Sequence, residues 1–417
     1  MTPRGPLRAA FGVALVAAVH AHLVSSSPAD GDALERAPRE LRLVFSEPVE
    51  AALSRVVVVS AAGEMEVRMR ADSMDVRVLL GALPALRVAE YRVDWRTVSA
   101  DGHPVEGTLR FTVVGPPAGP ADSLRPAPAP APEGDHAAGH GHSGPNVPAG
   151  VSAVLRGLGL FALLVLAGWQ VQWMAEGTAT PGAWRTAVAL AAAASVLLAA
   201  HFAAWLWHVT PGGGAPDLAA ALRSGPGRVE AVRVSLALLA LWALGLAKRP
   251  GLGLTFAVVA VLVSGAAGHS AGIAPRWSIP LKSLHLLALA VWMGGVGWLA
   301  VASVAHESFG ASASRVSGLA LGAVAVVGLT GLAQGALFLP GLDAVTGSAY
   351  GRLVLAKAAG LAGLVAFGAW NRRRLMPRLA AGGDPGALRS STRRELALML
   401  AVSVVAGVLA YVPPPPA

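Results

Sequence analysis

Tyr91-Arg-Val-Asp-Trp95-Arg-Thr-Val-Ser-Ala-Asp101-Gly-His103-Pro-Val-Glu-Gly107 begins as a strand and breaks at a turn that carries two ligand-type side chains. Apolar and polar residues alternate from Tyr91 to Arg96, the pattern of a half-buried strand. Asp101-Gly102 is a turn dipeptide, and strand character returns in Thr108-Leu-Arg-Phe-Thr-Val-Val. Working outward, Leu41-Arg-Leu-Val-Phe45, Ser54-Arg-Val-Val-Val-Val-Ser60 and Val76-Arg-Val-Leu-Leu80 repeat the motif, separated by Gly, Pro and Ala-rich turns. Short strands at this spacing predict an all-β domain over residues 22–115, a small Greek-key β-sandwich or barrel.

Asp101 and His103 gain meaning from the chain start. Residues 1–21 hold Arg4 and Arg8, an apolar run from Ala9 to Val19, and then Val19-His20-Ala21. A basic n-region, a short h-region and small residues before the cut read as a secretory signal peptide. Cleavage after Ala21 makes His22 the new N-terminus, with its α-amine and ring nitrogen on one residue. Together with His103 and Asp101 that is three nitrogens and one oxygen, a donor set suited to Cu(II). The chain has no cysteine, so a metal can be held only by His, Asp, Glu, Met or backbone groups.

His22-Leu-Val-Ser-Ser-Ser-Pro28-Ala-Asp-Gly31, Leu41-Arg-Leu-Val-Phe45-Ser-Glu-Pro48-Val and the Tyr91–Gly107 stretch together resemble the CopC family of periplasmic copper-binding proteins. The resemblance implies that His22, Asp101 and His103 bind Cu(II). Met65, Met69 and Met74 are read as packing residues, so the expected cofactor of this domain is copper as Cu(II) alone.

The chain of 417 residues is 54% hydrophobic and 14% charged, with mean hydropathy +0.57. Soluble domains carry about 25% charged residues, so an integral membrane protein is expected. The net charge of +9 excludes nucleic acid as a partner by its distribution: seven Arg fall between Arg372 and Arg394, in one loop between apolar segments. Such clustering is a topology signal.

Residues 116–148 form a linker in which Pro117, Pro120, Pro126, Pro128, Pro130 and Pro132 exclude regular helix or ladder. It carries His136, His140 and His142 beside Asp135, a group that could capture metal. At about 3.1 Å per residue such a segment spans tens of ångströms, enough to let the β-domain swing over a membrane.

Residues 149–412 are expected to be an α-helical polytopic membrane domain with about eight transmembrane helices. The spans are placed near 151–172, 184–207, 230–248, 251–270, 280–303, 315–338, 352–370 and 394–412. The Arg372–Arg394 loop then lies inside, with the β-domain outside. Trp205, Trp207, Trp277 and Trp370 fall near span ends, where an aromatic belt is expected.

His201, His208, His269 and His285 fall in the outer half of this arrangement. Intramembrane ionisable residues mark sites or pathways. Ser264-Gly-Ala-Ala-Gly-His269-Ser-Ala-Gly, Leu284-His285-Leu-Leu-Ala-Leu-Ala-Val-Trp292-Met-Gly-Gly295 and Tyr350-Gly-Arg352 through Lys357 and Asn371-Arg-Arg-Arg are similar to the CopD family of copper-resistance membrane proteins. The resemblance implies metal roles for His269 and His285, which are expected to approach each other across spans four and five. Gly294-Gly295 is expected to allow close helix approach.

The expectation is a fusion of the two families in the inner or plasma membrane, not an enzyme. It captures Cu(II) outside and passes copper to or through the helices. Its expected partners are the copper ion, the lipid bilayer and a periplasmic copper carrier. No Gly-x-x-x-x-Gly-Lys motif for ATP is present. The alternatives are a copper chaperone that serves a cuproenzyme without transport, and a haem or copper electron-transfer protein.

Overall fold

The computed structural model describes residues 21–115, 149–177, 180–210, 215–302, 306–339, 341–412 and 414. Residues 1–20 and 116–148, which include the expected leader and linker with His136, His140 and His142, lie outside the described residues.

The first domain has nine strands among the described residues: β1 Leu23–Ser27, β2 Asp32–Leu34, β3 Glu40–Phe45, β4 Arg55–Ser60, β5 Gly63–Val67, β6 Met69–Ala71, β7 Val78–Ala82, β8 Ala89–Val98 and β9 Pro104–Val113. They form one sheet in the order β1-β3-β7-β6 and a second in the order β2-β9-β8-β4-β5. All pairs are antiparallel except β2 with β9. Period-two alternation decides which faces meet. Leu41, Leu43 and Phe45 of β3 are buried against Val93 and Trp95 of β8 and Leu109, Phe111 and Val113 of β9. Phe45 meets Trp95 edge-on at 5.3 Å between ring centres, which ties the two sheets together. Trp95 pairs with Gly107. A Cβ there would lie 2.4 Å from the indole, so only glycine leaves the ring its place. Met65 and Met69 pack at this core, whereas Met74 is 92% exposed and packs on nothing, contrary to expectation.

The second region is helical: α1 Ala149–Glu176, α2 Pro181–Val209, α3 Leu218–Arg223, α4 Gly225–Gly245, α5 Pro250–Val263, α6 Pro275–Val301, α7 His306–Phe338, α8 Leu342–Gly347, α9 Ala349–Trp370, α10 Met376–Ala380 and α11 Gly386–Leu409. Eight of these helices overlap the eight expected intervals, which does not by itself make eight membrane spans. By length and composition, five stretches are apolar enough to cross a membrane: α1, α2, α6, α7 and the segment Ala349–Ala380 that begins with α9. Helix α5 is apolar but shorter. Helices α4 and α11 carry charges in their interiors, Glu230 and Arg233 in one and Arg393, Arg394 and Glu395 in the other.

Helices α1 and α6 form the centre of the bundle, with 56% and 61% of their apolar windows buried. They cross where Gly168 meets Gly294. A Cβ on Gly294 would lie 2.2 Å from the Gly168 carbonyl carbon, so the expected close approach is present.

Several helix ends differ from the sequence pattern, and two of them matter for the site. The fourth helix stops at Val263 and is followed by two 3-10 turns, Ser264–Ala266 and Gly268–Ser270. Gly268 has φ +75°, a left-handed conformation that glycine adopts without strain. His269 therefore sits on a turn outside the helix. Helix α6 begins at Pro275, five residues earlier than expected, because proline fits the first helical position. His285 is thus ten residues into α6, about 15 Å along its axis at 1.5 Å per residue.

Candidate metal centre

The β8–β9 connection is a five-residue loop that carries both candidate ligands of the β-domain and is tied by hydrogen bonds. Ser99 N–H donates to His103 O at 2.9 Å, and Gly102 N–H donates to Ser99 O at 2.9 Å. Gly102 takes φ +91°, which the turn requires and glycine permits. The Ser99 hydroxyl donates to Asp101 Oδ1, and His103 N–H approaches the same oxygen at 3.3 Å.

This loop is pressed against the helical region. Leu53 and Val98 of the β-domain share an apolar cluster with Trp205 and Val209 of α2 and Ala220 and Ala221 of α3. Polar contacts surround it. Trp205 Nε1 donates to Gly102 O at 2.9 Å, and Arg96 Nη2 donates to His208 O at 3.0 Å. Trp205 is 3% exposed and serves this seam, while Trp207, Trp277 and Trp370 are exposed near helix ends as an aromatic belt requires. Glu50 Oε1 accepts from Gly225 N–H at 2.9 Å, at the start of α4.

The Glu50 contact makes docking pH-dependent. Burial pushes its carboxyl pKa up, opposed by the Gly225 hydrogen bond and by Arg228. A group with a raised pKa binds its proton more tightly when docked. Docking is therefore favoured below the raised value and weakens as pH rises from the ordinary carboxylate range, about 4.3, through it. Glu50→Gln keeps an oxygen for Gly225 and removes the charge. It is expected to tighten docking at neutral pH and flatten the pH dependence, read as slower hydrogen exchange of residues 98–103.

Docking brings Asp101, His103 and His269 together. One ligand atom from each lies within 4.8 Å of the others, and all three residues are buried. His269 Nδ1 is 2.9 Å from Asp101 Oδ2, and His103 Nδ1 is 3.0 Å from Asp101 Oδ1. The two imidazoles stack, with centres 5.5 Å apart. His269 Nε2 lies 3.1 Å from Val412 O. A carbonyl only accepts, so Nε2 carries the hydrogen and Nδ1 faces the carboxylate. That pairing is favourable only with a proton or a metal ion between the two atoms. Cis ligands bonded at about 2.0 Å stand about 2.8 Å apart on a right-angled centre, close to the spacings seen. Two imidazoles and a carboxylate suit copper or another late divalent metal.

The other expected ligands lie elsewhere. His22 is exposed; its backbone N–H donates to Ser46 Oγ at 3.1 Å and its carbonyl accepts from Ser46 N–H at 3.0 Å. It is not among the three clustered residues. His285 does not meet His269 in this cluster. Its Nδ1 is 2.8 Å from Thr330 Oγ1 of α7, because α6 starts early and carries the ring deeper.

The aromatic walls of the site were not evident from the sequence. Tyr411 sits edge-on to His103 at 5.3 Å, and Tyr350 edge-on to His269 at 5.9 Å. The chain has three tyrosines, and their scarcity is the one signal that the sequence carried.

Comparison with known proteins agrees with this division. The CopC domain model matches residues 23–114, and that of copper resistance protein D matches residues 310–409. The second match begins within α7, so His269 and His285 lie before it. Copper resistance protein C of Pseudomonas syringae pv. tomato is 36% identical over 110 residues, 24% of this chain and 86% of that protein. Copper transport protein CutJ of Bacillus subtilis (strain 168) is 31% identical over 100 residues, 22% of this chain but only 18% of that protein's length. The crystal structure of CopC from Methylosinus trichosporium OB3b is 34% identical and covers 24% of this chain and 95% of that one, with TM-score 0.22. The chain belongs to the CopC family through its β-domain, fused to a helical region that matches copper resistance protein D.

Proposed function

We propose that this protein captures Cu(II) outside the cytoplasm and passes copper into its membrane helices through a site that the two domains share. The supporting observation is that Asp101 and His103 of the β-domain meet His269 of the helical region in one buried cluster. Contact between residues 168 positions apart joins the capturing domain to the bundle.

The shared site also supplies a handover route. His22, Asp101 and His103 hold Cu(II) while the β-domain is free of the helices. On docking, His269 takes the place of His22, and Asp101 and His103 stay bound throughout. Ligand exchange of this kind never strips the ion to water, which is costly for a strongly coordinated metal. The seven Arg between Arg372 and Arg394 support a cytoplasmic position for that end of the bundle.

Copper uptake into proteoliposomes that contain the purified protein, β-domain outward, tests this. Copper is expected to accumulate in the lumen. Retention of all copper outside, with release only to an added external acceptor protein, would establish the chaperone reading instead.

A further inference from the structure

Directly inward of the shared site, three helices bring together a second set of ligand-type groups. Helix α2 presents Trp205 to the domain seam and, one turn deeper on the same face, His201. Helix α4 starts at the seam, where Glu50 accepts from Gly225, and places Glu230 five residues further in, about 7.5 Å along its axis. His201 is fully buried and Glu230 is 4% exposed.

His201 Nδ1 lies 3.2 Å from Ser152 O of α1 and 3.3 Å from the Ser152 hydroxyl. With the carbonyl as acceptor, Nδ1 carries the hydrogen and Nε2 keeps its lone pair. Nε2 has no partner within hydrogen-bond distance among the described residues; its nearest charged neighbour is Glu230 Oε1, 3.7 Å away, an ion-pair spacing too long for a direct hydrogen bond. Buried ring nitrogens are ordinarily paired, so this one needs a reason. Both Glu230 oxygens accept from Arg233 Nη1 at 2.7 Å, which fixes the orientation of the carboxylate. A histidine fixed through its far nitrogen by a backbone carbonyl, beside a carboxylate fixed by its own donor, is the outer-shell arrangement that supports metal ligands.

A small cavity of about 10 Å³ lies between the two places. Asp101, Gly102, Arg156, Trp205, Glu230 and Gly268 are all in its wall. One of these residues belongs to the shared site and another to the second set.

The geometry points to His201 Nε2 and Glu230 as a second copper station, one helical turn inward, that receives the ion as it leaves Asp101, His103 and His269. This rests on the reading that copper enters through the shared site. One imidazole and one carboxylate make a weaker donor set than the first. Arg233 and Arg156 add positive charge that weakens it further. Weak inner binding is what passage needs, because an ion held tightly at each step does not move on.

The test uses the full chain with His136, His140 and His142 replaced by Ala, titrated with Cu(II) and followed by EPR. A tight first signal and a weaker second one, with coupling to a single imidazole nitrogen, are expected. His201→Gln should remove the second signal, leave the first intact, and slow copper uptake by roughly tenfold or more, at least the scale of second-shell losses. His269→Ala should alter the first signal and leave the second. The first signal reports that each variant is folded; if His201→Gln loses it, His201→Leu replaces that variant. A second signal unchanged by loss of His201, or only one signal in the parent protein, overturns the proposal. Because binding is read separately from uptake, a protein that does not transport at all still shows whether the second station takes up copper.

Discussion

His269→Ala is expected to leave Cu(II) capture by the β-domain intact and to cut copper movement across the membrane by at least about a hundredfold, the upper end of what even outer-shell losses cost. His269 is the only one of the three clustered ligands that comes from the helical region. In the proposed handover, its loss removes the group that receives the copper. It also takes a partner from Asp101 Oδ2, which His269 Nδ1 approaches at 2.9 Å. A buried carboxylate left without a partner costs on the order of 1–3 kcal/mol, so docking should weaken as well. His285→Ala provides the comparison. That ring bonds to Thr330, about 15 Å along α6, so its removal should leave the EPR signal of the shared site unchanged. Measurement needs Cu(II) EPR and radiotracer copper uptake on the same preparations. Native uptake in His269→Ala would show that copper crosses by a route that avoids the domain seam.

The two kinds of structure in this chain were unequally legible. Strand positions followed from alternation in β3, β8 and β9, because one face of each is buried in a core and the other is not. Helix positions followed from apolar runs of membrane-spanning length. Boundaries were harder. Ser264-Gly-Ala-Ala-Gly268 reads as apolar as any span, yet the left-handed Gly268 ends the helical run and turns His269 back toward the β-domain. A start at Pro275 moved His285 away from the position its sequence neighbours suggested. The docking seam was not legible at all. Gly102 with Trp205, Glu50 with Gly225 and Asp101 with His269 are pairs more than 100 residues apart. No local periodicity encodes such a pairing. The Pro-rich linker argued for a domain free to swing, and only the packed cluster of Leu53, Val98, Trp205 and Ala221 shows where it comes to rest. Asp101, His103 and His269 were each identifiable as ligand types, but their membership in one site was not.

Insertion of one Ala before His22 is expected to separate the two ligand sets that share Asp101 and His103. The capturing set needs the α-amine of His22 together with its imidazole, an arrangement that exists only if the mature chain begins there. An extra residue turns that amine into an amide and places the new amine one residue away. The ring survives but the chelate does not. In a His269→Ala background, where only the capturing set can form, affinity for the first Cu(II) should fall by at least about a hundredfold, more than outer-shell changes produce. The docked set should be untouched, since His22 is exposed there, its backbone bonds to Ser46, and it stands outside the buried cluster. The extended variant, supplied with enough copper to fill the weakened site, should therefore transport at close to the native rate. Both versions should release Cu(II) on acidification, because protons compete for the ring nitrogens. A competition titration against a Cu(II) chelator, with N-terminal sequencing of both mature proteins, decides the matter. Equal affinity of extended and native chains, each shown to start where intended, would mean that His22 binds through its ring alone and that the exchange of His22 for His269 is not how copper is passed on.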